Sequence, residues 1–264
     1  MERHFFAVNG VKLSYLDFGG PSERTLVALH GHFGTATMFA GLAKGIPEWR
    51  IVALDQRGHG WSEHVAKEAY SRSNYVQDLQ CFIENELGGG PVVLLGHSLG
   101  GVNAYQLAAR RPTLVRAMII EDIGAEINDD QSWLKKLPSR VPTLRELQQA
   151  LESLLRPGAF SYFGESVVEC PDGWTFRFDA MGLIRSQEML NGSWWADWQA
   201  STCPVLLMQG ENSPVLSWAH AQEMARRRPN TTLLQFPGCG HSIRNGDPVG
   251  YLEAVRGFLA TLGV

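Results

Sequence analysis

Six short apolar runs punctuate the chain: "TLVALHG" (25–31), "RIVALDQ" (50–56), "PVVLLGHS" (91–98), "RAMIIEDIG" (116–124), "PVLLMQG" (204–210) and "TTLLQFPG" (231–238). Each is continuous rather than alternating. A strand with one wet face alternates apolar and polar residues, whereas a strand covered on both faces stays apolar throughout. Between most of the runs lie helical patterns. Residues 73–90 begin at a serine cap and stop at glycines, and 99–112 and 247–263 also read as helices. Strands alternating with helices predict an α/β fold with a mostly parallel sheet flanked by helices. The opening, "HFFAVNGVKLSYLDFG" (4–19), predicts an antiparallel hairpin turning at Asn9-Gly10. The length, 264 residues, suits one such domain or one with an insertion, and suffices to bury a sizeable core.

The alternation fails between about 125 and 200. That stretch carries prolines at 138, 142, 157 and 171, together with Trp133, Phe160, Tyr162, Phe163, Trp174, Phe176, Phe178, Trp194, Trp195 and Trp198. It predicts an inserted cap folded over the sheet edge. The layout is then a core in two parts, 1–124 and 201–264, with a cap at 125–200. Most of these aromatics are expected to pack the cap onto the main domain, and a few to line an apolar pocket. Phe33 and Trp195 are the pocket candidates.

One motif sits where its chemistry needs it. "LLGHSLGG" places Ser98 in G-x-S-x-G, directly after an apolar run and directly before a helix. A sharp strand-to-helix turn exposes the serine hydroxyl, and small flanking residues let the turn approach neighbouring backbone. The helix N-terminus offers N–H groups and a dipole that favours negative charge.

With "HGHFG" (30–34), "DQRGHGWS" (55–62) and "GCGHS" (238–242) in this order and spacing, the chain resembles the α/β-hydrolase superfamily over nearly its whole length. The resemblance implies acyl transfer, since relatives with aspartate at the nucleophile position open epoxides or displace halide. It makes His241 the base that takes the Ser98 proton. It implies an oxyanion hole built from the backbone N–H of Leu99 and that of His32, with Gly31 and Gly34 permitting close approach. His30 is expected to shape its loop and the His32 side chain to fill space. Asp55 and Arg57 are expected to pair or hydrogen-bond to fix the "DQRGHGWS" turn, with His59 and Trp61 as packing residues.

A histidine base needs a carboxylate that holds its tautomer and stabilises the imidazolium. In many family members the carboxylate stands three residues past the glycine of "PVLLMQG", but from Gly210 the chain reads Glu211, Asn212, Ser213. The other location is the end of the strand after the nucleophile helix, here "MIIEDIGAE". Asp122 is chosen because Ser98, Asp122, His241 keeps the superfamily's order. The segment is also similar to a branch of small lidded esterases with the acid at this earlier position. Glu121 is adjacent, but successive strand residues point to opposite faces. Glu121 and Glu211 remain open as alternatives, and Ser213 is expected to become a neighbour of the histidine.

Several classes are excluded. Net charge is −4 with no basic block, which argues against nucleic acid as a partner. No run approaches the roughly 20 apolar residues of a membrane span, and no stretch at the N-terminus reads as a signal peptide. The four cysteines lack C-x-x-C spacing and suggest reduced thiols in the cytoplasm. No H-E-x-x-H occurs, so no metal is expected, and the chemistry requires no cofactor. The expected activity is hydrolysis of small-molecule carboxylic esters with short to medium apolar acyl or aryl groups. Lactone, thioester or amide hydrolysis on the same residues is the alternative, as is a small-molecule receptor with slow turnover.

Overall fold

In a computed structural model describing residues 1–263, the apolar runs become strands of one eight-stranded sheet. In chain order these are β1 Glu2–Val8, β2 Val11–Asp17, β3 Thr25–Leu29, β4 Arg50–Asp55, β5 Val92–His97, β6 Val115–Glu121, β7 Val205–Gly210 and β8 Thr231–Phe236. They lie side by side as β1-β2-β4-β3-β5-β6-β7-β8. β1 pairs antiparallel with β2 and β2 antiparallel with β4, while every later neighbour is parallel. The hairpin turns where expected, with both Asn9 and Gly10 at positive φ, as a two-residue turn matched to strand twist requires.

The continuity of the apolar runs has a plain cause. Along β3, Val27 and Leu29 pack into one buried cluster with Leu94, Tyr105 and Ile120. Leu26 and Ala28 pack into another, with Phe39, Ile51 and Leu95. Both faces of the central strands are therefore covered.

The main helices are α1 Arg72–Cys81, α2 Leu99–Arg110, α3 Leu144–Leu154, α4 Ala180–Leu190, α5 Trp218–Arg227 and α6 Pro248–Ala260. The cap of α1 is Ser71, two residues before the start read from the sequence, and its hydroxyl accepts the Asn74 N–H. A wider turn over Phe82–Glu86 then carries the chain towards Gly88. Between β6 and β7 the chain leaves the sheet. There α3, α4 and a two-stranded hairpin, Val167–Cys170 with Gly173–Phe176, enclose a third apolar cluster. Leu134, Leu147, Phe163, Phe176, Phe178 and Leu183 close in that cluster on Phe33, which comes from the loop after β3.

Asp55 and Arg57 fix their turn, but not by pairing with each other. The Asp55 carboxylate accepts the Ala36 N–H at 2.7 Å, the Trp61 N–H at 3.1 Å and the Ser14 hydroxyl at 2.6 Å, and it pairs with Arg3. Arg57 turns the other way and makes a two-pronged pair with Asp78 on α1, both bonds at 2.7 Å. Asp55 ends β4, whereas Arg57 lies two residues on in the turn that follows, where the backbone has left the strand and aims its side chain at α1.

Both side chains of the Arg57–Asp78 pair are at least 95% buried, being 5% and 3% exposed. Removing one partner strands the other charge, which costs about 3–5 kcal/mol. Asp78→Ala is expected to lose that much stability in urea unfolding. A loss below about 1 kcal/mol would show that the pair does not hold this turn.

Candidate active site

The nucleophile candidate occupies a strained turn. Ser98 caps α2 with φ 52° and ψ −118°, a conformation that non-glycine residues rarely adopt. Its N–H bonds the Glu121 carbonyl at 3.0 Å, which ties the turn to the end of β6. The turn is tight enough that a Cβ on Gly100 would stand 2.3 Å from the Leu29 carbonyl oxygen. On the facing loop, a Cβ on Gly31 would meet Ser98 Cβ at 3.0 Å. The two segments approach as closely as the sequence motif suggested. As the first helical residue, Leu99 has an N–H with no intrahelical acceptor. Neither it nor the His32 N–H is bonded to a backbone carbonyl among the described residues.

Asp122 follows β6 directly, at φ 52°, in the left-handed region that aspartate tolerates better than most residues. It is fully buried. Its carboxylate accepts three hydrogen bonds. Oδ1 takes the Gly210 N–H at 2.9 Å, and Oδ2 takes His241 Nδ1–H at 2.7 Å and the Ser213 hydroxyl. Ser213 thus stands beside the histidine but bonds its carboxylate partner. Glu211 is turned away and accepts the Gly238 N–H at 2.7 Å. Glu121 does not reach the imidazole. It is fully buried among other groups and accepts the Ile243 N–H at 2.9 Å.

Ser98, His241, His32 and Phe33 all border one cavity of about 260 Å³. Its other walls come from Ile123, Ile127, Leu190, Val215, Tyr162 and the polar residues Asn128, Gln131 and Gln187, with the carboxylates of Glu126 and Asp129 at the exposed rim. Among the described residues, no lysine or arginine lines it. Trp195, expected here, lies elsewhere. Its indole donates to Glu126 at 2.7 Å, packs on His220 with ring centres 5.2 Å apart, and sits under Arg227. Tyr162 is the only one of the ten aromatics between 125 and 200 on the cavity wall. The His32 ring does more than fill space. Its Nε2 is 2.9 Å from the Ser186 hydroxyl of α4, and Ser186 in turn contacts the Tyr75 hydroxyl at 3.0 Å. The sequence marks neither His97 nor residues 126–131 as part of a site. His97 lies inside the quoted serine motif, while the loop residues carry no local signal and reach the cavity through tertiary packing alone.

A family model described as alpha/beta hydrolase fold matches residues 24–243. The chain is 29% identical over 258 residues to an sn-1-specific diacylglycerol lipase of Mus musculus, spanning 92% of this chain and 83% of the relative. It is 26% identical over 246 residues to a 2-(acetamidomethylene)succinate hydrolase of Mesorhizobium japonicum, spanning 89% of this chain and 87% of that one. A hypothetical protein of Pseudomonas aeruginosa has a TM-score of 0.80 at 25% identity, with 100% of both chains covered.

Four imidazoles around the site are buried: His30, His32, His59 and His97. Burial, the largest cause in each case, lowers the pKa of all four, His32 to about 3. The bonding of His30 fits a neutral ring, with Nδ1–H donating to the Gly31 carbonyl at 2.8 Å and Nε2 accepting the Gln56 N–H at 3.0 Å. On unfolding, these rings regain an ordinary pKa near 6.5. Below that pH the unfolded chain binds protons that the folded chain refuses. Their contribution is therefore complete above about pH 6.5 and is lost as pH falls, by up to about 1.4 kcal/mol per pH unit for each ring. The urea midpoint is expected to be nearly level from pH 7 to 8 and to fall steeply between pH 6.5 and 5. A level midpoint down to pH 5 would contradict this.

Proposed function

The chain belongs to the alpha/beta hydrolase fold family, and from that premise we propose that it is a serine hydrolase of carboxylic esters. The relatives named above are a lipase and a hydrolase, which supports hydrolysis in general. The observation that carries the finer reading is the Asp122 carboxylate on His241 Nδ1, with His241 and Ser98 bordering the same cavity.

In this reading, His241 Nε2 takes the Ser98 proton as Oγ attacks the ester carbonyl. The bond to Asp122 keeps the proton on Nδ1, so Nε2 is free to accept, and it steadies the imidazolium that forms. The oxygen of the tetrahedral intermediate is held by the N–H groups of Leu99 and His32. Each such donor is worth about 3 kcal/mol in the transition state. His241 then protonates the leaving alcohol, and water clears the acyl-enzyme with the same imidazole as base. The acid at the end of β6 supports membership of the lidded branch, with residues 125–200 as the cap and Phe33 seated in its apolar cluster. The four free thiols are consistent with a cytoplasmic setting.

The cavity supports uncharged substrates. Its volume suits short to medium acyl or aryl groups, and its wall is partly apolar. A carboxylate-bearing substrate would meet Glu126 and Asp129 with no lining lysine or arginine to offset them.

The test is turnover of p-nitrophenyl acetate and butyrate against a Ser98→Ala control. Wild-type rates no faster than the control would overturn the reading. Asp122→Asn is expected to fold and to lose about 10⁴ in kcat through the wrong imidazole tautomer. Glu211→Gln should stay within about twofold. Ser213→Ala removes one charge-assisted bond to Asp122, so roughly a tenfold loss in kcat is expected. A p-nitrophenyl hydrogen succinate should be at least about tenfold poorer in kcat/KM than the butyrate, and equal rates would remove the charge argument.

A further inference from the structure

The residue before Ser98 and the residue before Asp122 face each other across the β5–β6 pair, His97 opposite Glu121. Both are fully buried. Both reach the loop that carries His241. His97 Nε2 lies 2.9 Å from the His241 carbonyl oxygen, and a carbonyl only accepts, so the ring donates there. Its other edge meets the oxyanion loop, where a Cβ on Gly31 would stand 2.7 Å from Nδ1. Its ring and that of His241 pack tilted at 43°, centre to centre 4.6 Å. Glu121 Oε1 accepts the Ile243 N–H at 2.9 Å and the Arg244 N–H at 3.3 Å, two and three residues past His241. A carboxyl group and an imidazole are costly to bury, and apolar residues would fill the same space more stably. Their presence at paired positions, gripping one loop at two points, calls for a role beyond packing.

We propose that His97 and Glu121 are positioning residues that clamp the His241 loop from beneath and set the height of its imidazole between Ser98 and Asp122. The proposal rests on the hydrolase reading above for its kinetic consequences, but the clamp itself is a matter of loop geometry. His97 directly precedes Ser98 at the end of β5, and Glu121 directly precedes Asp122 at the end of β6, so each clamp residue moves with the site residue beside it. A displacement of the imidazole by about 1 Å is enough to cost on the order of a hundredfold in rate.

Gln and Met at each position separate hydrogen bonding from volume. Gln keeps a donor near the place of His97 Nε2 and an acceptor in the place of Glu121 Oε1, and Met keeps neither. With butyrate ester, H97M and E121M are expected to lose about tenfold or more in kcat, with KM changed less than about threefold. H97Q and E121Q should recover most of that loss. Amide hydrogen exchange of Ile243 and Arg244 should quicken at least about tenfold in E121M but not in E121Q. Should E121M fail to fold, E121D keeps the carboxyl group, falls one methylene short of the loop, and carries the same expectation. Met variants as fast as wild type, or Gln variants as impaired as Met with exchange at Ile243 and Arg244 unchanged, would overturn the clamp. Wild-type turnover no faster than Ser98→Ala would sink the hydrolase reading alone, and the clamp would then stand or fall by the exchange rates.

Discussion

The carboxylate of Asp122 is the point at which the upper edge of this sheet is tied together. It follows β6, takes an N–H from the end of β7, a hydroxyl from the loop after β7, and the imidazole from the loop after β8. Two segments far from it in sequence, 210–213 and the loop bearing His241, converge on its two oxygen atoms in a fully buried setting. A buried charge is tolerable only with such a full set of donors. Those same donors fix the tautomer and orientation that the proposed chemistry asks of His241.

Much of this was legible from the chain. The parallel sheet could be read because strands covered on both faces leave continuous apolar runs. Ser98 could be read because strand, tight turn and helix follow one another within a dozen residues. Chain order and the vacancy at 213 point to Asp122, whose carboxylate does meet His241 Nδ1. What could not be read were the partners. Asp55 and Arg57 are two residues apart, yet they bond to Arg3 and Asp78 instead of each other. Trp195 looked like a pocket residue by composition but spends its indole on Glu126. The serine cap read at the start of 73–90 is displaced by two residues, because the helical backbone begins at Arg72 and its cap is Ser71. For Asp55, Arg57 and Trp195 the deciding contact spans a loop or a crossover, for which local pattern carries no information.

The segment between β6 and β7 also bears on the site through polar threads. His32, on the loop proposed to hold the oxyanion, meets Ser186 of α4, and Ser186 meets Tyr75 of α1. The Phe33 carbonyl receives the Ser166 hydroxyl. Two consecutive residues of that loop are thus fastened to the segment between β6 and β7, one by its side chain and one by its backbone. A change in that segment would be felt first by the loop beside Ser98, before it altered the sheet.

The hydroxyl of Ser213 on the Asp122 carboxylate limits what position 213 can hold. The two side chains meet from the ends of neighbouring strands, within hydrogen-bonding distance. A second carboxylate at 213 would repel the first and drive one of the two to hold a proton. A small neutral donor avoids that conflict and leaves a single carboxylate facing the imidazole.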